Sequence, residues 1–132
     1  MSEIRLTDLG NERKWRTFSY PGGFSWSVSP GEWTLVGDRP SGEVVDLTSV
    51  RAMFRLSGDD ARGLLAKICG LDFSDETFEN GASARTLVAG VPTEIVRNDI
   101  DGSLSYLILP SRSYSRYMNE TIRDAGLEFG LS

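Results

Sequence analysis

The sequence contains no histidine, a single cysteine and no apolar run near the length of a membrane helix. Each absence excludes something. Without histidine there is no Ser-His-Asp or Cys-His nucleophile system, no usual general base near neutral pH, and almost none of the common zinc or iron sites. Cys69 alone can form neither an internal disulfide nor an all-thiolate metal site, which fits a reducing cytoplasm. The opening MSEIRLTDLG lacks the apolar core of a signal peptide, and a membrane helix takes about 20 apolar residues, so no membrane association is expected. Neither GxGxxG nor GxxxxGK[ST] occurs among the 14 glycines, which removes the common nucleotide-binding fingerprints. Chemistry would have to come from Asp, Glu, Tyr, Lys or Arg, or from a cofactor held by a partner.

What is present describes one ordinary soluble domain. The chain has 132 residues, of which 39% are apolar and 25% charged, enough to bury a core and wrong for a disordered segment. Fourteen basic against 19 acidic side chains leave a net charge of −5, which argues against nucleic acid as the main partner.

Residues 1–23 read as an irregular N-terminal arm, with a short basic cluster Arg13-Lys14-Trp15-Arg16 that the neighbouring acids offset. From residue 24 to 132 the pattern is that of one α+β domain. Phe24, Trp26 and Val28 alternate with serines, Pro30-Gly31 turns the chain, and Trp33 and Leu35 continue the alternation, which predicts a β-hairpin. Asp38–Gly42 is a loop, and Val44–Leu47 and Arg51–Leu56 read as strands, the second with Ala52, Phe54 and Leu56 on one face. A helix follows: Ser57 as cap, Asp59 and Asp60 in the first turn, Ala61, Leu64, Leu65 and Ile68 as its stripe, Gly70 as its stop. A polar connection then tucks Phe73 and Phe78 onto the core. Strands are expected at Arg85–Ala89 and Thr93–Asn98, split by Gly90-Val91-Pro92, and at Ser103–Leu109 after an Asp101-Gly102 turn. A second helix, opened by Ser111 or Ser113, carries the stripe Tyr114, Tyr117, Met118, Thr121, Ile122, Ala125 and stops at Gly126, before a strand fragment Leu127–Phe129. The expected fold is a mostly antiparallel sheet with two helices on one face, preceded by a β-hairpin.

No constellation in this pattern demands catalysis. Cys69 falls in the last turn of its helix, where the dipole disfavours a thiolate, and reads as a small buried residue. Asp72, Asp75 and Glu76 lack the spacing of a calcium loop, and Asp99 and Asp101 are turn formers. The aromatics carry more information. Most of Trp15, Trp26, Trp33, Tyr106, Tyr114 and Tyr117 should be core, while any exposed ones would mark an interface. Arg112 and Arg116 stand four residues apart beside Tyr114 and Tyr117, a patch suited either to solvent or to an acidic partner.

A longer pattern carries a family resemblance. The block Trp26-Ser27-Val28-Ser29-Pro30-Gly31-Glu32-Trp33, the runs Val44–Thr48 and Arg51–Gly58, the helix Ala61–Cys69 with Leu71-Asp72, and Ala84-Arg85-Thr86 and Arg112-Ser113-Tyr114 resemble the gamma-subunit family of heterotetrameric sarcosine oxidase. The resemblance spans Phe24 to Gly126, with only Gly37–Glu43 where the family inserts a longer stretch. It implies an aminomethyltransferase-like fold, related to the glycine cleavage T-protein. It also implies a role as a non-catalytic partner of larger flavin-dependent oxidase subunits. Those subunits would hold the flavin, NAD and tetrahydrofolate, with no cofactor in this chain, and the complex would oxidatively demethylate an N-methyl amine in the cytoplasm.

Two alternatives stay open. A stand-alone folate-binding domain would draw its pocket from Arg85, Arg97, Arg112 and Tyr114. An isolated chain could instead homodimerise. For a protein partner, the expected contact residues are Trp26, Trp33 and Leu35 on the hairpin, with Arg112 and Arg116 on the second helix.

Overall fold

The computed structural model describes residues 5–8, 24–29, 32–36 and 51–131, the first three segments as strand backbone. Strands β1 (Arg5–Asp8), β4 (Phe54–Ser57), β5 (Ser83–Val88), β6 (Val91–Arg97) and β7 (Ser105–Pro110) form one antiparallel sheet in the order β1-β4-β7-β6-β5. Strands β2 (Phe24–Ser29) and β3 (Glu32–Val36) form a separate antiparallel hairpin, and β2 runs beside β5. Helices α1 (Ala61–Ile68) and α2 (Ser115–Gly126) pack on one face of the larger sheet. The α+β architecture is therefore the expected one. The N-terminal arm is not wholly irregular, however: β1 pairs with β4, Leu6 opposite Leu56, and so supplies an edge strand. The strand expected at Val44–Leu47 and the basic cluster at 13–16 lie outside the described residues.

Two tight turns set the register. Asp101 and Gly102 take φ of 51° and 78°, and Ile100 pairs with Ser103, the two-residue geometry that fits the strand twist. Ala89 and Gly90 do the same between β5 and β6, at φ 51° and 81°. The turn is thus not Gly90-Val91-Pro92, because Val91 and Pro92 already pair with Val88 and Leu87. Ala89 is pinned on both sides in its left-handed conformation. Its N–H donates to the Ile68 carbonyl at 2.7 Å, and its own carbonyl accepts from the Tyr117 hydroxyl at 2.8 Å.

The helix boundaries also differ from the sequence reading. Ser57 belongs to β4, opposite Ser105, so it caps nothing. Gly58 (φ 118°) turns the chain, and Asp59 and Asp60 precede α1 instead of lying in its first turn, with Asp60 at the N-cap position. The stop is not a left-handed Gly70. Cys69 goes extended (φ −143°, ψ 135°) and bridges to Val88, which pulls the chain out of the helix and buries the thiol.

At α2 the stripe begins a turn later than expected. Met118, Ile122 and Ala125 are buried, but Tyr114 and Tyr117 are 45% and 47% exposed. Tyr114 ends a 3-10 segment, Arg112–Tyr114, whose tighter winding rotates it off the helical stripe. Gly126 is inside the helix. A Cβ there would come within 2.7 Å of Leu131 and 3.0 Å of Leu64, so this glycine serves close packing. The left-handed stop is Gly130 at φ 85°. Leu127–Phe129 forms a second 3-10 segment and not a strand, held to α1 where Lys67 pairs with Glu128, donates to the Ala125 carbonyl at 2.9 Å and lies over the Phe129 ring.

Between helices and sheet, Phe54, Leu56, Tyr106, Ile108, Ile95, Leu64, Leu65, Met118 and Ile122 form the core. Phe73 and Phe78 join it as expected, edge-on to each other at 5.6 Å, with Phe73 also edge-on to Tyr106 at 5.5 Å.

Candidate functional site

Residues alternate across a strand, so cross-strand partners share a face. Tyr106 is opposite both Leu56 and Arg97, which puts Arg97 on the helix side. Glu94 is opposite both Arg85 and Leu109, and this set occupies the second face. Arg85 and Arg97 therefore point to opposite sides of the sheet. Arg112 and Tyr114 sit in the 3-10 segment beyond β7. The four residues of the expected folate pocket do not converge.

Arg97 is committed elsewhere. It bonds Asp99 at 3.0 Å and Asp75 at 2.6 Å, and reaches the Phe78 carbonyl at 3.1 Å. Asp99 first, then Asp75, raises its pKa above the ordinary arginine value against the cost of burial. Asp75 also accepts from Arg62 of α1 at 2.7 Å, and the two guanidiniums, Arg97 first, hold its carboxyl below the usual range. Arg62 is raised in turn by its contact with the Tyr106 hydroxyl and then by Asp75. That hydroxyl is buried without a well-formed hydrogen bond, so its contact with Arg62 is electrostatic and not a geometric bond. Asp72 closes the same loop by accepting from the Ser74 N–H at 2.9 Å and the Thr77 hydroxyl at 3.1 Å, which lowers its pKa. This cluster ties the 71–82 connection to α1 and β6. Its ion pairs are matched, Arg62 and Arg97 to Asp75 and Asp99, while Asp72 is held by the Ser74 N–H and the Thr77 hydroxyl, and its work is structural.

The second face carries a different arrangement. Glu94, 3% exposed, pairs with Arg51, and its other oxygen lies 3.7 Å from Arg85 Nε. Arg51, Arg85, Glu94, Leu87, Pro92 and Thr93 line an open cleft of about 380 Å³ at the β5 end of the sheet. Leu87 is 59% exposed on its wall. Reading Arg51 only as the start of a strand missed this pair: the strand begins at Phe54, and Arg51 makes an isolated bridge to Ser111. With the two-residue turn Ala89-Gly90 in hand, counting outward pairs Arg85 with Glu94 directly; a three-residue turn would instead set Arg85 against Arg97.

Of the expected interface residues, Arg116 is 92% exposed and pairs with Glu120 at 3.1 Å along α2, and Arg112 is half-buried. Trp26, Trp33 and Leu35 are placed by backbone register alone: Trp26 opposite Thr34, Leu35 opposite Ser25. Among the described residues no three His, Cys, Asp or Glu side chains group as metal ligands, and no helix is long and apolar enough to cross a membrane.

No protein-family model matches the chain. It is 33% identical over 94 residues to the sarcosine oxidase subunit gamma of Corynebacterium sp. strain P-1, covering 71% of this chain. It is 31% identical over 97 residues to the subunit of the same name from strain U-96, covering 74%. The chain belongs to the sarcosine oxidase gamma-subunit family. It spans less than half the length of these relatives, 44% and 45%. A solved heterotetrameric sarcosine oxidase, from Corynebacterium sp. U-96 in complex with pyrrole 2-carboxylate, has the same fold at a TM-score of 0.73 and 24% identity, over 84% of this chain and 63% of that one.

Proposed function

We propose that this chain is a non-catalytic accessory subunit of a sarcosine-oxidase-like flavoenzyme, packing on larger flavin-dependent subunits and stabilising them in the cytoplasm. The observation that carries the reading is the 33% identity to a sarcosine oxidase gamma subunit over 94 residues. The sequence is consistent with it, since a chain without histidine lacks the side chain most often used for general acid–base catalysis. Oxidation of an N-methyl amine and transfer of the one-carbon unit to tetrahydrofolate would belong to the partner subunits, along with flavin and NAD. The folate-binder alternative is weakened by the separation of Arg85 from Arg97 across the sheet.

Co-expression with the larger oxidase subunits tests the proposal. The expected outcome is a stable complex in which this chain co-elutes stoichiometrically, while the chain purified alone is colourless and oxidises no sarcosine. Failure to associate, or one equivalent of flavin bound to the isolated chain, would overturn it. Calorimetry with a reduced folate decides the alternative: saturable micromolar heat would favour the folate binder.

A further inference from the structure

The second face of the sheet is buried at its centre, although both helices lie on the other side. Register sets Leu107, Val96 and Ser83 in one row across β7, β6 and β5, with Leu109, Glu94 and Arg85 in the next. Leu107 is fully buried, and Val96, Glu94 and Leu109 are nearly so. Arg97 ties the 71–82 connection to the helix side, and the turns at 89–90 and 101–102 lie at the ends of the strands. Among the described residues, the hairpin β2–β3 is what remains to cover this face, and β2 runs beside the edge strand β5.

The register of the hairpin gives it two apolar faces. Phe24 is opposite Val36 and Trp26 opposite Thr34, so these four positions share a face, while Ser25 and Leu35 share the other. The pairing then shifts by one residue, and Ser29 meets Glu32. Glu32, Thr34 and Val36 alternate onto one face, so Ser29 joins it and Val28 falls with Trp33 and Leu35. Simple alternation of Phe24, Trp26 and Val28 would have put all three together. Phe24, Trp26 and Val36 therefore occupy one face, and Val28, Trp33 and Leu35 the other. The sheet can cover only one of them. Glu32, the single charged residue of the two strands, belongs to the Trp26 face, and at β5 the second face of the sheet presents Arg85, of opposite sign. That complementarity selects the Trp26 face as the one laid on the sheet.

We propose that the Phe24–Trp26–Val36 face of the hairpin closes the second face of the sheet, and that the Val28–Trp33–Leu35 face is left outermost, as the surface that meets a larger oxidase subunit. The outer half of the inference rests on the accessory-subunit reading; the inner half does not. An uncharged apolar face that includes a tryptophan suits the core of a protein interface, where charged residues are depleted and Trp is enriched.

Iodide quenching of tryptophan fluorescence tests both halves on the full chain. Trp15→Phe with Trp33→Phe leaves Trp26 as the one tryptophan, and Trp15→Phe with Trp26→Phe leaves Trp33. With folding confirmed by melts, Trp26 should be shielded in the chain alone. Trp33 should be quenched several-fold more strongly, and should lose that quenching when the purified larger subunits are added. Trp33→Ala, which keeps Trp26, should hold its thermal midpoint near wild type and weaken association at least about tenfold. Trp26 quenched as strongly as Trp33 would overturn the inner half. Both shielded in the chain alone would mean that another segment of this chain covers the outer face, and would overturn the outer half. If wild type associates but Trp33 stays quenched and Trp33→Ala binds normally, the contact lies elsewhere and the accessory-subunit reading survives. If wild type does not associate, that reading falls with the outer half, and Trp26 alone decides the inner one.

Discussion

On the helix side of the sheet, Phe54, Leu56, Ile95, Tyr106 and Ile108 meet the stripes of α1 and α2 in an almost wholly apolar layer. On the second face Met53, Val96, Leu107 and Leu109 are just as buried, but they share the space with Glu94 and Ser105 and with the stems of Arg51 and Arg55. There the polar groups are tied into a network: Arg55 donates to the Ser105 hydroxyl at 2.7 Å and to the Asn98 side chain at 3.1 Å, while Arg51 pairs with Glu94. Burying polar groups on such a face costs little only where they find partners, and Glu94 Oε1 is buried without a hydrogen bond, 3.7 Å from Arg85 Nε. The comparison separates a face that supplies stability from one that supplies specific, directional contacts. Truncation should expose that difference. Phe54→Ala removes a fully buried ring from the first face and is expected to cost roughly 3–5 kcal/mol, read from chemical denaturation. A loss below about 1 kcal/mol would mean the apolar layer is not what holds the fold.

On the second face the expected effect depends on how the pair is broken. Glu94→Ala strands the Arg51 guanidinium, which is 23% exposed, and should cost about 3 kcal/mol, the lower end for a buried pair. Replacing both partners, Arg51→Met with Glu94→Met, should recover most of that loss, because the buried Arg51 charge goes with Glu94 and the charge that loses its contact, Arg85 at 3.7 Å, is 44% exposed. If the double variant is as unstable as the single one, the face is held by packing around Glu94 and not by its charge. Gly126→Ala is expected to rank next, at about 2 kcal/mol, since its Cβ would press on Leu131 and Leu64 where α1 and α2 touch. Melts comparing Gly126→Ala with Gly70→Ala sharpen the point, because a Cβ at Gly70 meets nothing within 4 Å.

The same two faces explain what could be read in the sequence. Periodicity is a local signal, and it located the α1 stripe, the α2 core residues and the strands of the helix-side layer, where apolar residues alternate with polar ones. The Asp101-Gly102 turn was equally legible, because its residue types fit the required φ values. The Arg51–Glu94 pair was not, because it joins positions 43 apart across β7, where Ser111 just beyond the strand bridges Arg51 and Leu109 faces Glu94. The Arg85–Glu94 pairing was hidden by a register set at Ala89, a residue with no turn preference of its own. One residue type hid the register, and with it the neighbours of Arg85. Gly126 misled for a related reason: a glycine near a helix end suggests a stop, yet here it answers a side chain five residues later. The family likeness, by contrast, needed no register, only short matches in the right order.

The smallest expected effect concerns the acid limb of stability, and it falls on the helix side. Asp75 and Asp72 both have depressed folded pKa values, Asp75 through Arg97 and Arg62, Asp72 through the Ser74 N–H and the Thr77 hydroxyl. A carboxyl whose pKa is lowered by folding binds protons less readily in the folded state than in the unfolded one. Its contribution is therefore present above the ordinary carboxylate value, near pH 4, and is lost as pH falls through the lower folded value. Both groups are exposed to solvent, so screening keeps the contribution small. Asp75→Asn removes the carboxylate that Arg62 and Arg97 share but leaves Arg97 its pair with Asp99. The variant should melt slightly below wild type at pH 7, and the gap should close as pH drops from about 4 towards 2. High salt at pH 7 should shrink the same gap. A difference that stays constant across that range would mean Asp75 acts through loop geometry alone, and the charged bridge from the 71–82 connection to α1 and β6 would lose its electrostatic role.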